Sequence, residues 1–131
     1  MNKLQTYTAP AGRVLLAMIF FMSGLTKIGQ YAGIQGYMDA MGVPGFLLPL
    51  VIITEVVGGL AIMLGWQARL TAFLLAGFSI LSAVLFHADF ANQAEMTNFM
   101  KNIAIAGGFL MIFVNGPGAY ALDNRNKKQL A

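Results

Sequence analysis

The chain has 131 residues, 58% of them hydrophobic and only 10% charged, with a formal net charge of +3. An ordinary soluble domain carries about 25% charged residues, so this composition, with a mean hydropathy of +0.70, excludes a water-solvated globular domain and points to an integral membrane protein. There is no cysteine, which excludes disulfides, thiol catalysis, CxxC redox chemistry and iron–sulfur ligation.

Four spans of about 20 residues each would use about 80 residues, leaving short loops and tails, so a single membrane domain is expected. The positive charge does not indicate nucleic acid. The basic residues stand at the ends of apolar runs and form no continuous patch.

Residues 1–8 read as a short polar tail, and the first span is expected over residues 10–28. Lys3 and Arg13 ahead of an apolar run imitate a secretion signal. No small-residue cleavage site follows a short core, however, and the run continues to Lys27, so a retained spanning helix is expected. Pro10 falls in the expected first turn, where its missing N–H costs little. Arg13, Ala17, Phe20, Gly24 and Lys27 recur at helical spacing on one face, with the two cations about 21 Å apart along the axis. Arg13 reads as a snorkelling interface anchor. Ser23 and Gly24 allow a second helix to approach closely.

Between Gly29 and Gly45, Ile34, Tyr37, Met38 and Met41 repeat at i, i+3, i+4 and i+7. That pattern predicts a short amphipathic helix at the membrane surface, stopped by Gly42 and Pro44. The second span, residues 46–65, is nearly unbroken apolar sequence and is long enough, at about 30 Å, to cross a bilayer. Glu55 lies near its middle. An acidic group at that depth costs roughly 2.5–3.5 kcal/mol on insertion scales, so Glu55 is expected to be neutral, paired or facing a wet cavity. Gly58 and Gly59 follow as close-packing positions.

The third span is expected over residues 70–87. Ala76, Ser79, Ala83 and His87 share a small, weakly polar face. His87, the only histidine, is either an interfacial residue in water or a proton carrier, because imidazole titrates near neutral pH. With one histidine, distant acids and no cysteine, no metal site is expected. After a polar loop holding Asp89 and Glu95, the fourth span is expected over residues 96–114. Lys101 stands one to two turns inside it, and Gly107 and Gly108 mark another packing face. Trp66, Arg69 and Tyr120 join Arg13 as expected interface anchors.

With an even number of spans both ends lie on one side. That side collects Lys3, Arg13, Arg69, Arg125, Lys127 and Lys128, against Lys27 and Lys101 on the other, which predicts cytoplasmic termini by the positive-inside rule. Lys27, Glu55, His87 and Lys101 then converge from four helices on the outer half of the membrane. They are the candidate ligand-binding residues, forming a polar, outward-facing pocket for a small polar or quinone-like head group. Two other readings compete: a buried clamp that fixes helix register without a ligand, and a proton or ion path. No catalytic residue is assigned. There is no GxGxxG, P-loop, GxSxG or HExxH motif, and the nine methionines read as gap-filling side chains on apolar faces.

These residues carry a family resemblance. Arg13…Ser23-Gly24…Lys27, the run from Tyr37 to Phe46, Glu55 with Gly58-Gly59, Phe86-His87, Phe99 to Asn102, and Gly116 to Tyr120 together resemble the DoxX family of small four-helix bacterial inner-membrane proteins, most closely its YqjF-like branch. The resemblance implies an all-α, four-helix transmembrane bundle in the bacterial inner membrane. It also implies a quinone-linked oxidoreductase component, or a protein of redox or electrophile stress, that binds a small hydrophobic ligand. The alternatives are a non-catalytic membrane subunit, chaperone or lipid-binding module, and a small transporter. No flavin, haem or nicotinamide site is evident, and a quinone is the one cofactor-like ligand expected. Electrons would come from a redox partner protein or a bound quinol. The lipid bilayer, and a second copy of the chain, complete the expected partners.

Overall fold

The computed structural model of the protein describes residues 3–118 and 120–124. Arg125, Lys127 and Lys128, which enter the charge argument above, lie outside the described residues. The architecture is helical throughout: α1 (Lys3–Gly29), α2 (Tyr31–Ala40), α3 (Leu48–Leu64), α4 (Ala68–Phe86) and α5 (Gln93–Asn115), with short 3-10 turns at Gly45–Leu47 and Leu122–Asn124. Four segments are long and apolar enough to cross a membrane: Thr6–Gly29, Gly45–Leu64, Ala68–Phe86 and Gln93–Asn115. The short helix α2 lies between the first two, as expected from its two-turn amphipathic pattern.

The first helix begins earlier than expected. It starts at Lys3, so Pro10 lies inside it rather than in its first turn. The missing N–H therefore removes one interior hydrogen bond. The turn before it gains other contacts instead: the Thr8 hydroxyl donates to the Leu4 carbonyl at 2.5 Å, and the Tyr7 ring stacks on Tyr120 with centroids 5.5 Å apart.

The spans associate as two tight pairs, α1 on α3 and α4 on α5, with sparser contact between the pairs. Lipid tails are as apolar as leucine, so helices in a bilayer gain little from hydrophobic burial and rely on close van der Waals packing. The α1–α3 crossing is built for that. A methyl group on Gly59 would stand 3.0 Å from the Phe21 backbone nitrogen and 3.2 Å from the Ala17 carbonyl oxygen. One on Gly24 would stand 3.2 Å from the Val56 backbone nitrogen. Gly58 makes room instead for Leu75 of α4, and Gly108 of α5 for Leu16 of α1, whereas Gly107 faces open space.

Where the pairs meet, Ala17, Phe20, Ile62, Ala72, Leu75, Ala76, Ala106 and Phe109 form the core. These residues belong to the half of the bundle nearer the α3–α4 turn. Phe20 anchors it through edge contacts with Phe109 and Phe78, at 5.3 and 6.3 Å between centroids. Toward the α2 end the core gives out. Large apolar residues such as Ile53, Val57, Leu70, Phe73 and Leu74 are exposed on the outside, as lipid-facing positions require.

The chain after α5 folds back and closes the end opposite α2. Gly65 ends α3 in the left-handed region (φ 73°), and Gln67 adopts the same region (φ 48°), which costs a non-glycine residue roughly 1–2 kcal/mol. Asp123 holds this turn in place: its two carboxylate oxygens accept the Gln67 and Ala68 N–H groups at 2.7 Å each, which caps the start of α4. The Asp123 N–H in turn donates to the Gly65 carbonyl at 3.0 Å.

The residues expected as interface anchors take varied places. Arg13 is buried, at 4% exposure, and does not reach out along the helix toward the interface. Its guanidinium turns inward and donates to the Tyr120 carbonyl at 2.6 Å, because the returning C-terminal segment sits over it. Arg69 is exposed and donates to the Phe113 and Val114 carbonyls at 3.2 and 3.1 Å. There it satisfies open acceptors and complements the negative end of the helix dipole. Trp66 and Tyr120 are exposed at the same end of the bundle.

Candidate functional site

Because the two helix pairs touch mainly in one half, a cavity of about 520 Å3 opens between them in the other. Its walls come from α1 (Ile19, Phe20, Ser23, Lys27), α3 (Leu50, Val51, Thr54, Glu55), α4 (Phe78, Ser79, Ser82, Leu85, Phe86) and α5 (Asn102, Ile105), with His87 at its rim. Ile34, Tyr37 and Met38 of α2, and Val43 just after it, cover it as a lid.

The local chemistry explains why the lid sits there. Gly42 leaves α2 in the left-handed region (φ 82°). The Val43 N–H reaches the Met38 carbonyl at 2.9 Å and the Gly42 N–H reaches that of Asp39 at 3.1 Å, which is a Schellman ending. It turns Met38 and Val43 toward the cavity. The Asp39 carboxylate then accepts the Gly45 N–H at 2.8 Å, and the Gln35 amide donates to the Gly45 carbonyl at 3.2 Å. These two bonds fix the approach to α3. On the far side the Tyr37 ring stacks on Phe86, 5.6 Å between centroids, with its hydroxyl 3.5 Å from the Phe86 carbonyl. The lid thus bridges the α1–α3 pair to α4.

Inside the cavity, the Lys27 ammonium lies 2.7 Å from Glu55 Oε1 and donates to Ser23 Oγ, also at 2.7 Å. Ser23 is one turn before Lys27, so the lysine is steered along its own helix toward α3. The Glu55 side chain is 6% exposed and that of Lys27 23%: the acid is enclosed, and the amine faces the cavity. Burying a single ion costs several kcal/mol even after relaxation, so each charge is tolerable at this depth because the other is there.

The second polar contact lies at the rim. His87 ends α4, and its Nδ1 is 2.9 Å from Glu95 Oε2. Glu95 sits in the first turn of α5, where a negative charge is favoured. That turn is capped by Asn92, whose side-chain oxygen accepts the Ala94 and Glu95 N–H groups at 2.9 and 3.2 Å. Across the rim, the Tyr37 phenol is raised above its ordinary 10.0, first by burial and then by the Glu95 charge. A group whose folded-state pKa is raised stabilises the fold below its unfolded value and loses that contribution as pH climbs through the folded one. The packing of the lid is therefore expected to weaken above pH 10. Glu95→Gln should lower the Tyr37 titration midpoint part of the way toward 10.0, since burial is the larger cause. Phenolate absorbance of single-tyrosine variants measures this; an unmoved midpoint would show that Glu95 does not act on the ring.

Of the four residues singled out from the sequence, the structure brings Lys27, Glu55 and His87 to one cavity. Lys101 does not join them: it is exposed, and Asn102 and Ile105 line the cavity in its place. Successive residues turn about 100° around a helix, so the neighbour of an inward residue points away. The polar residues at or beside the cavity that sequence reasoning did not single out as site residues are Tyr37, Thr54, Ser82, Glu95 and Asn102. Their signal was present but weak, as Ser79 and Ser82 repeat at i, i+3 and Glu95 lies eight residues after His87. Among the described residues no three of His, Asp and Glu gather as a metal-ligand set.

Comparison with known proteins places this architecture. The DoxX family pattern matches residues 9–88. The chain is 50% identical over 129 residues to "Inner membrane protein YqjF" of Escherichia coli (strain K12), covering 98% of this chain and 99% of that one. It is 35% identical over 120 residues to "Inner membrane protein YphA" of the same organism, covering 86% of each. It is 28% identical over 86 residues to "Putative oxidoreductase CatD" of Bacillus subtilis (strain 168), covering 63% of each. No solved structure matches. With its four apolar helices and its inner-membrane relatives, the chain is a multi-pass inner-membrane protein and belongs to the DoxX family.

Proposed function

We propose that the protein binds a small hydrophobic ring compound with a polar head, such as a quinone, in the cavity between the helix pairs, and that it serves quinone-linked redox chemistry or defence against reactive electrophiles. The observation that carries this reading is the lysine–glutamate pair at the wall of an otherwise largely apolar cavity. Ligand sites are concave, apolar and about 300–1,000 Å3, with a few placed polar groups, and the cavity of about 520 Å3 falls in that range. Lys27 is the group to meet a ligand oxygen, because its ammonium is the exposed member of the pair. Glu55 or His87 is positioned to pass a proton to or from that oxygen. Electrons come from a bound quinol or from a redox partner protein. With both termini cytoplasmic, the cavity lies in the outer half of the membrane. The name of the Bacillus relative, "Putative oxidoreductase CatD", agrees with this reading.

A second reading has its own support. The pair stands one turn from the close contact of Gly59 with α1, where a purely structural lock would also be placed. Equilibrium dialysis of a short-chain 1,4-benzoquinone against the protein in nanodiscs, with empty nanodiscs as reference, separates the two. Under the binding reading the protein retains quinone beyond the lipid background. Lys27→Gln weakens that retention by about tenfold, the loss of one hydrogen bond to a charged group. No retention above the empty discs would leave the structural lock.

A further inference from the structure

The cavity has two polar walls of different kinds. The α1–α3 wall is charged, and its groups are already engaged: Lys27 with Glu55 and Ser23, and Thr54 donating to the Leu50 carbonyl at 2.8 Å. The α4–α5 wall is neutral below the His87–Glu95 contact at the rim. Ser79 on it is spent, donating to the Leu75 carbonyl at 2.8 Å. Ser82 and Asn102 are not. Both are half-buried and line the cavity, and among the described residues neither side chain has a hydrogen-bond partner.

Unpaired polar side chains are expensive inside a membrane, where no bulk water satisfies them. A serine hydroxyl and an asparagine amide together offer three donor hydrogens as well as acceptor oxygens. Ser82 of α4 and Asn102 of α5 line the same cavity as Lys27 of α1, together with the rings of Phe20, Phe78 and Phe86. Such a cavity suits a flat ring with acceptors on opposite edges. With such a ring bound, one edge would meet Lys27 and the other Asn102 and Ser82, and the faces would lie against the aromatic rings.

On the basis of the ligand-binding reading above, we infer that Asn102 and Ser82 are the specificity-determining residues of the cavity, selecting 1,4-dicarbonyl rings over rings with a single carbonyl. Asn102 provides the main contact, because its amide group carries two of the three donor hydrogens on that wall. No bond is made or broken in this step; it is recognition alone.

The test compares a short-chain 1,4-benzoquinone with an alkyl phenyl ketone of matched hydrophobicity, using the full chain in nanodiscs. The expected result is that Asn102→Leu weakens quinone binding by about tenfold and ketone binding by less than about twofold, and that Ser82→Ala weakens quinone binding by about threefold. A spectroscopic readout separates recognition from mere packing. Bound quinone should show two distinct infrared carbonyl stretches, one per wall, and Asn102→Leu should return one of them to its free frequency. If Asn102→Leu fails to assemble, Ser82→Ala and the wild-type carbonyl splitting decide the matter. Quinone that binds wild type with unsplit carbonyls, or equally well to both variants, overturns the role of Asn102 and Ser82 and leaves ligand binding itself standing. Absence of any quinone binding to wild type overturns both.

Discussion

Replacing Lys27 with methionine is expected to destabilise the protein by about 3–5 kcal/mol, the usual cost of removing one partner from a buried pair. Glu55 is the reason. Its side chain is 6% exposed and would be left enclosed with no opposing charge. Glu55→Gln should cost clearly less. The amine it leaves behind keeps Ser23 Oγ at 2.7 Å and, at 23% exposure, reaches the cavity. The double change Lys27→Met with Glu55→Gln should recover most of the loss, since neither ion is then stranded. An exposed pair would be worth only about 0–1 kcal/mol, so a loss above about 2 kcal/mol already identifies an enclosed one. Unfolding in mixed micelles followed by circular dichroism measures all three variants. Strict additivity of the two single losses would show that the side chains do not depend on each other.

That asymmetry between acid and amine was only partly legible in the sequence. A carboxylate in the middle of an apolar run announces itself, since its burial cost demands an explanation, and Lys27 and Lys101 were both plausible answers. Spacing along one helix places a residue on a face. It does not say which neighbouring helix that face meets. The choice of Lys27 follows from the α1–α3 pairing, set by Gly24 and Gly59 of two different helices. Arg13 shows the same gap. A cation near a span end looks like an interface anchor until the C-terminal segment is seen to return over it, and the bonds from Asp123 to Gln67 and Ala68 span more than fifty residues. The four spans and the short helix were readable because length and local periodicity fix them. The cavity was not, because it arises where two helix pairs fail to meet.

Gly59→Leu is expected to disrupt the bundle by about 3 kcal/mol or more, whereas Gly107→Ala should be neutral or stabilising by up to about 1 kcal/mol. The atoms in the way decide the difference. At Gly59 a Cβ meets the backbone of α1, the Phe21 nitrogen at 3.0 Å, the Ala17 oxygen at 3.2 Å and the Phe21 Cα at 3.3 Å. A backbone in a helix cannot rotate aside as a side chain can, so α1 and α3 must separate. At Gly107 nothing lies within 4 Å, and alanine only improves helix propensity. Separation at Gly59 has a further consequence, because Glu55 is one turn away, about 6 Å along the axis. Moving α3 from α1 lengthens the 2.7 Å contact to Lys27. The losses from Gly59→Leu and Lys27→Met should therefore overlap, and the double variant should be more stable than their sum predicts. Full additivity would mean that the ion pair survives the helix separation and is held by Ser23 and the cavity rather than by the glycine crossing. A loss at Gly107 comparable to that at Gly59 would mean that a second copy or another subunit covers α5 in the membrane, since among the described residues no other part of the fold comes within 4 Å of a Cβ there.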